Sequence, residues 1–592
     1  MRRLFLFALM SAGLACAGAA MAEVRLVVSG GSEDLAPLLR PASRLAATGD
    51  LSGLPAQDVV ATARADYARL LARLYEMGYF GPVISIRLDG REASDISPFQ
   101  TGGTIREAVI SIDPGAPFRL GRADIAPLAP GTTLPEGFVP GAAAGTPVLR
   151  QAAEAGIAAW RSEGHAAATV ADQRIVARHG ESELDAQIML DPGPVAQFGE
   201  VVPEGAVHML PERIARIAGL PRGERFDPDT LDRVAGRLRD SGAFGSVGLV
   251  EGPIGPDGTL DITAELVEAP LRRLGFGAEL SSTEGVMVSA YWLHRNLFGG
   301  AERLRFDAEI SGLGGENGGF DAMASAQFAR PATLTPDTTL ELGATLEHLD
   351  EFSFQTDSLD LSAGLRHQFS PRLDGAIALE VSRIEIEDAF SERGITMLSL
   401  PTELTWDNRD NASDARGGQF VTATLTPFGM NEGGGGLRAT FDTRAYLGFG
   451  ETRSTRLALR LQGGTVEGGD IDDLPPDWLF FSGGAGTVRG QDYQSLGALQ
   501  GGLATGGRSF VGSSLELRQD IVGNWGAVLF ADIGYVTADA LWSGSSDWHA
   551  GAGIGVRYMT GIGPVRVDLA APVGGAASVS DLSLYIGIGQ AF

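Results

Sequence analysis

Few residues in this sequence could make or break a covalent bond. There is no G-x-S-x-G nucleophile elbow and no Walker loop. The seven histidines are scattered without the H-E-x-x-H spacing of a metal site, and the single cysteine, Cys16, lies near the start of the chain. The glycine run Gly433-Gly434-Gly435-Gly436 would cradle a phosphate only ahead of a helix. Leu437-Arg438-Ala439-Thr440-Phe441 reads instead as a strand, so the run is a loop. The side chains with the most to do are carboxylates in strand-like stretches. In Leu515-Glu516-Leu517 the leucines take one parity, and Leu529, Ala531 and Ile533 take one parity around Asp532. Glu516 and Asp532 therefore share the face turned away from the apolar one. Two carboxylates on a water-poor face need a cation, and a planar guanidinium can serve both. This is the chemistry of binding and fastening: no catalytic residue, cofactor, metal or enzymatic activity is expected.

The elements that would position these groups fall into two regions. The chain opens Met1-Arg2-Arg3, runs through an apolar stretch and reaches Ala20-Met21-Ala22, the pattern of a signal peptide over residues 1–22. A lipidated Cys16 is the competing reading, but no apolar residue stands three positions before it. Beyond residue 22 no apolar run is long enough for a transmembrane helix. Residues 23–268 repeat. Asp113-Pro114-Gly115 recurs 78 positions on as Asp191-Pro192-Gly193, and Gly164 recurs 78 positions on as Gly242, with an earlier copy at Met77-Gly78-Tyr79-Phe80. A fixed period means one structural unit used several times. The first unit reads β-α-α-β-β, from Val24–Val28 through a helix over Val59–Met77 to strands at Val83–Leu88 and Ala108–Ile112. Three such repeats are expected at 23–115, 116–193 and 194–268.

From 269 to 592 the pattern changes to alternation. Leu457-Ala458-Leu459-Arg460-Leu461 and Val565-Arg566-Val567-Asp568-Leu569 put apolar residues on one face only. The 82 glycines and this length fit a membrane β-barrel of about 16 strands at roughly 20 residues each. A soluble sandwich alternates too, with the charged face outside. The leader and the ending, in which Leu584, Ile586, Ile588 and Phe592 share one parity, favour the barrel. The net charge of −28 argues against nucleic acid as a partner, since phosphates would be repelled.

Several motifs point the same way. A helix ending in Gly-aromatic, followed by a strand running into Asp-Pro-Gly, resembles the polypeptide-transport-associated (POTRA) domain. Val488-Arg489-Gly490-Gln491 resembles the V-R-G-[YF] motif of the outer-membrane assembly and secretion family, except that Gln491 replaces the aromatic. His294-Arg295-Asn296-Leu297-Phe298-Gly299-Gly300, Trp406-Asp407-Asn408-Arg409-Asp410 with Arg416-Gly417-Gly418, Phe530-Ala531-Asp532-Ile533-Gly534 and Gly563-Pro564-Val565-Arg566-Val567-Asp568 resemble further segments of that family. Three repeats and the stretch Leu474–Gly484 resemble its TamA type, the outer-membrane subunit of the translocation and assembly module. The resemblance implies a barrel in the outer membrane, POTRA repeats in the periplasm, and a role in inserting or secreting barrel and autotransporter-type proteins. The partners it implies are unfolded clients, outer-membrane lipid and a long TamB-like protein anchored in the inner membrane. The alternatives are a passive outer-membrane channel or a two-partner-secretion-type transporter. The resemblance also implies that Val488, Arg489 and Gly490 form a loop tip anchored in the lumen on Glu516 and Asp532, and that Tyr585 and Phe592 belong to a C-terminal assembly signal. Glycines Gly275 and Gly277 in the first strand and Gly587 and Gly589 in the last mark a seam expected to open laterally, because glycine removes cross-strand side-chain contact.

Overall fold

The computed structural model describes residues 23–30, 33–97, 103–281, 285–315, 319–432, 434–543, 546–561, 563–574, 582–588 and 590. The expected leader over 1–22, including Cys16, and the expected seam and signal residues Gly589 and Phe592 lie outside the described residues. The chain forms two compact bodies, one of residues through 198 with 223–228 and 254–260, the other of 199–222, 229–253 and 261–592.

In the first body, strand Glu23–Val28 runs parallel to the central strand Glu107–Asp113, which pairs antiparallel with Val83–Leu88. The helix Ala56–Glu76 lays Val59, Val60, Ala63, Leu70 and Leu74 on this sheet, against Ile86 and Ile110. Each such aliphatic side chain contributes about 1.5–3 kcal/mol relative to exposure. The helix stops because Gly78, at φ +91°, turns the chain left-handed, and the Tyr79 N–H closes on the Leu74 carbonyl at 2.9 Å. A short helix before it, Arg44–Thr48, is capped by the Ser43 side chain.

The second sheet orders Arg119–Ala126, Glu183–Asp191 and Thr169–Arg178, with Glu183–Asp191 central. Here only one α-helix forms, Thr146–Ser162, where the repeat pattern calls for two. Residues 127–145 carry Pro127, Pro130, Pro135 and Pro140 between glycines, and proline removes backbone donors and clashes inside a helix. The third sheet, Gln197–Glu204, Thr259–Glu268 and Phe244–Ile254, has both helices, Pro211–Ala218 and Pro228–Asp240.

Sixteen antiparallel strands close the barrel among the described residues, from Arg272–Ser281 to Ser583–Ile588. The eighth is in two pieces, Glu392–Ser399 and Thr402–Asp407, because Pro401 has no N–H to give the ladder. Both pieces pair with the same neighbours, Leu373–Asp388 and Gly418–Met430. Along the strands the leucines point outward: Leu359, Leu361, Leu459 and Leu461 are 40–51 % exposed, while Ala458 on the inner face is fully buried. A closed sheet with an apolar outside and charges inside belongs in lipid, which removes the soluble sandwich.

The third repeat docks on the barrel within the second body. Arg213 donates to the carbonyls of Pro331 (2.6 Å) and Gly300 (3.2 Å), and Arg216 to Thr333 (2.6 Å). Arg237 holds Asp337 through two bonds of 2.6 and 2.8 Å. Asn296, from the Arg-Asn-Leu-Phe-Gly turn, donates to the His208 carbonyl at 3.1 Å and accepts from the Ala301 N–H.

Candidate functional site: the lumen segment and the barrel seam

The connection between the eleventh strand (Thr455–Glu467) and the twelfth (Ser509–Val522) folds back into the barrel. Its side chains Ile471, Leu474, Leu479 and Phe480 form one apolar cluster with wall residues that include Ile384, Ile395, Phe428 and Phe510. Burial of this cluster holds the segment inside, and beside it remains a cavity of about 610 Å³ bordered by Glu309, Asp321, Glu347 and Asp477.

The tip of the segment is built backbone to backbone against the wall. Gly490 sits at φ +93°, and a Cβ there would come within 2.7 Å of the Ala571 backbone. Gly551 must also be bare, because a Cβ on it would collide with the Arg489 carbonyl. This close approach delivers the Arg489 side chain, 2 % exposed, to both expected carboxylates. Its Nε and Nη2 donate to Asp532 at 2.8 and 3.0 Å, and Nη1 donates to Glu516 Oε1 at 2.7 Å. The guanidinium also lies 3.6 Å from the centre of the Phe530 ring. Phe530, Asp532 and Gly534 thus act together. The first stacks under the arginine, the second pairs with it, and the third leaves room for buried Val488, whose Cγ2 would lie 2.9 Å from a Cβ on Gly534.

Three further charged residues join this group, none of which the sequence reading placed at the anchor. Arg518 bonds Glu516 Oε2 at 2.8 Å, Arg557 pairs with Asp568, and Asp568 Oδ2 lies 3.5 Å from Arg489 Nη1. Three arginines and three carboxylates therefore form one buried, charge-balanced group. Inward parity next to Leu517, Val556 and Val567 marks these positions in the sequence, but which strands bring them together depends on register.

Gln491 is 3 % exposed, and its side-chain amide donates to the carbonyls of Ala550 and Gly574, both at 2.8 Å. The ladder slips between Ala550 and Gly551. An aromatic side chain could not satisfy two carbonyls freed by a bulge, whereas a primary amide has the two N–H groups required. Tyr585, on the last strand, faces the lumen fully buried, and its hydroxyl accepts the Gly490 N–H at 3.1 Å. It is thus on the opposite face from Leu584 and Ile588, which are exposed on the outside.

Of the expected seam glycines, Gly275, Gly277 and Gly587 are among the described residues. Gly275 and Gly277 pair with Tyr291 and Ser289 of the second strand. Among the described residues the first and last strands pair at Leu280–Ile586 and Ser281–Tyr585, against ten residue pairs between the first strand and the second. Gly587 pairs with Arg566 of the fifteenth strand, Gly563–Gly574.

Solved structures with this fold include BamA from Haemophilus ducreyi lacking POTRA domains 1–3, with a TM-score of 0.62 and 14 % identity, covering 80 % of this chain and all of that one. CdiB from Acinetobacter baumannii matches with a TM-score of 0.52 and 12 % identity, covering 80 % of this chain and 90 % of that one. In sequence, a SAM50-like protein of Schizosaccharomyces pombe is 25 % identical over 276 residues, 44 % of this chain and 57 % of its own length. The chloroplast outer envelope protein 80 of Arabidopsis thaliana is 24 % identical over 419 residues, 63 % of this chain and 52 % of its own. The chain thus spans little more than half the length of these relatives. The Omp85 superfamily domain matches residues 296–592, half of the chain. On that match, the chain is a member of the Omp85 superfamily.

Proposed function

We propose that this protein is an outer-membrane assembly or secretion factor of the TamA type, which receives unfolded barrel or autotransporter-type clients on its N-terminal repeats and passes them to the membrane at the seam between its first and last strands. On this reading residues 23–115, 116–193 and 194–268 are POTRA domains in the periplasm, following a leader over 1–22, and a TamB-like protein anchored in the inner membrane meets them. Val488, Arg489 and Gly490, with Glu516 and Asp532, keep the lumen segment in place during the cycle.

The observation that carries the proposal is the contrast between the two ends of the barrel sheet. A segment fastened in the lumen braces the last five strands, while the first and last strands share two residue pairs among the described residues. A passive channel has no need of a sparse seam and would be obstructed by residues 468–508. The repeats argue for protein partners, since sheet edges can recruit an extended chain by strand addition.

The test is deletion of the gene in its native organism, followed by quantitative profiling of outer-membrane proteins, with capture of the full-length protein for an inner-membrane partner. Loss of a defined set of barrel or autotransporter proteins, together with recovery of a long inner-membrane-anchored partner, is the expected result. An unchanged outer-membrane proteome would overturn the assembly role. A general collapse of all barrels without such a partner would overturn the TamA type.

A further inference from the structure

The Gly-Pro-Val-Arg-Val-Asp strand contributes Asp568 to the buried group, but its arginine takes no part there. Arg566 instead reaches across the barrel closure. Its Nη2 donates to Glu279 Oε1 of the first strand at 2.5 Å, passing over the last strand. Arg566 is in register with Gly587, and Leu280 is in register with Ile586, so Glu279, Gly587 and Arg566 lie in one row across three strands. Two strand spacings are roughly 9–10 Å, which two long side chains span only if the residue between them has none. A Cβ on Gly587 would sit 3.1 Å from Arg566 Nε and 3.3 Å from Glu279 Cδ. Among the described residues, Glu279 is also where the ladder stops: Leu280 and Ser281 are paired with the last strand, and residues 272–279 have no partner on it.

We propose that the Arg566–Glu279 ion pair is a clasp that holds the seam closed at the end of its backbone ladder, and that Gly587 is the gap through which the clasp passes. This rests on the reading that the seam opens, and it changes the meaning of the glycine: Gly587 makes room for a bond rather than merely removing one. The side chains are 9 % and 28 % exposed, so the pair is partly wet and its strength depends on salt. Because the pair links the fifteenth strand to the first, it closes the seam without engaging the last strand's own hydrogen bonds. An incoming strand could thus compete for those bonds once the clasp has let go.

The test uses the full chain in liposomes with cysteines at Leu280 and Ile586, register partners on the outer face; residues 23–592 contain no other cysteine. The yield of the seam disulfide under a brief mild oxidant reports the closed fraction. Glu279→Gln and Arg566→Gln should each lower it by about threefold, the scale of a partly exposed ion pair. Raising the salt tenfold should lower the yield of the otherwise unaltered pair of cysteines and leave the glutamine variants unchanged. The exchange of charges in Glu279→Arg with Arg566→Glu should restore the yield. Gly587→Val, which keeps both charges, should behave like the glutamine variants. Yields equal to the parent in both glutamine variants, or a charge exchange no better than the single changes, would overturn the clasp. If instead the disulfide-locked protein still assembles clients at full rate, the opening seam fails as a mechanism while the clasp, read from crosslinking alone, stands.

Discussion

Replacing Arg489 by alanine removes one charge from a balanced group of three arginines and three carboxylates, and the loss is not shared equally. Glu516 keeps Arg518 at 2.8 Å, and Asp568 keeps Arg557. Asp532 loses both guanidinium bonds and retains only the residue 489 N–H at 3.2 Å. A carboxylate that is 3 % exposed and left without its cation costs about 3–5 kcal/mol. The cost therefore has an address. Asp532→Asn in the same chain removes the orphaned charge, so Arg489→Ala with Asp532→Asn should be more stable than the sum of the single effects, by about 2–3 kcal/mol of coupling. Glu516→Gln should rescue far less, because Glu516 still has Arg518 and is not the carboxylate left without its cation. The measurement is the temperature at which the folded barrel, in liposomes, loses its compact gel mobility. It compares the parent, Arg489→Ala, Asp532→Asn, Glu516→Gln and the two double variants. Strict additivity for the pair with Asp532, or rescue by Glu516→Gln equal to that by Asp532→Asn, would refute the assignment of the cost.

Two other expectations bear on neighbouring contacts. Gln491→Glu replaces two N–H donors by acceptors facing the carbonyls of Ala550 and Gly574, at about 1–3 kcal/mol for each carbonyl left unsatisfied. Hydrogen exchange over 546–560 and 563–574 should rise more than in Gln491→Met, and equal exchange in the two variants would refute the donor role. In the third repeat, burial pushes the Glu268 carboxyl up, but the His208 ring and the N–H groups of Met209, His208 and Val207 outweigh it and hold the group below its ordinary 4.5. A depressed folded value means that this contribution is complete above 4.5 and is lost as the pH falls through the lower folded value. Exchange at Val207–Met209 should therefore accelerate in acid, and Glu268→Gln should flatten that step; a parent profile without the step would refute it.

Alternation made the barrel legible because the outer face needs apolar side chains at every second position whatever the register. The Glu516 and Asp532 pair was legible for the same reason, and the family motif supplied Arg489. Register was not legible. Whether Arg518, Arg557 and Asp568 meet depends on which residues face each other across four strands, and parity alone cannot say. For the first strand, parity marks Gly275 and Gly277 as inward positions, but it does not give the register by which Leu280 and Ser281 pair with the last strand. In the second repeat the missing helix was written in its four prolines, which the 78-residue period concealed. Gln491 looked like the loss of a stacking residue. Its bonds answer a bulge that only the folded ladder shows.

The two halves of the proposed mechanism support each other energetically. Opening a barrel between well-paired strands would break a long ladder, such as the ten pairs joining the first strand to the second. At the seam two pairs are joined among the described residues, and at about 0.5–1.5 kcal/mol net per hydrogen bond they cost far less to part. A weak seam alone would let strain spread into the neighbouring strands. The lumen tip opposes this, because its bonds reach the twelfth strand through Glu516, the thirteenth through Asp532, the fourteenth through Ala550, the fifteenth through Gly574 and the last through Tyr585. With that wall braced, deformation is confined to the junction with the first strand. There the backbone groups of residues 272–279 have no partner on the last strand among the described residues, and within a bilayer an unpaired backbone group costs several kcal/mol. That cost falls when another strand pairs with the edge. On the proposed mechanism the sparsely paired edge and the fastened lumen segment are therefore one device: the segment keeps the wall stiff so that the edge alone can part, and the edge, once parted, favours a client strand over lipid.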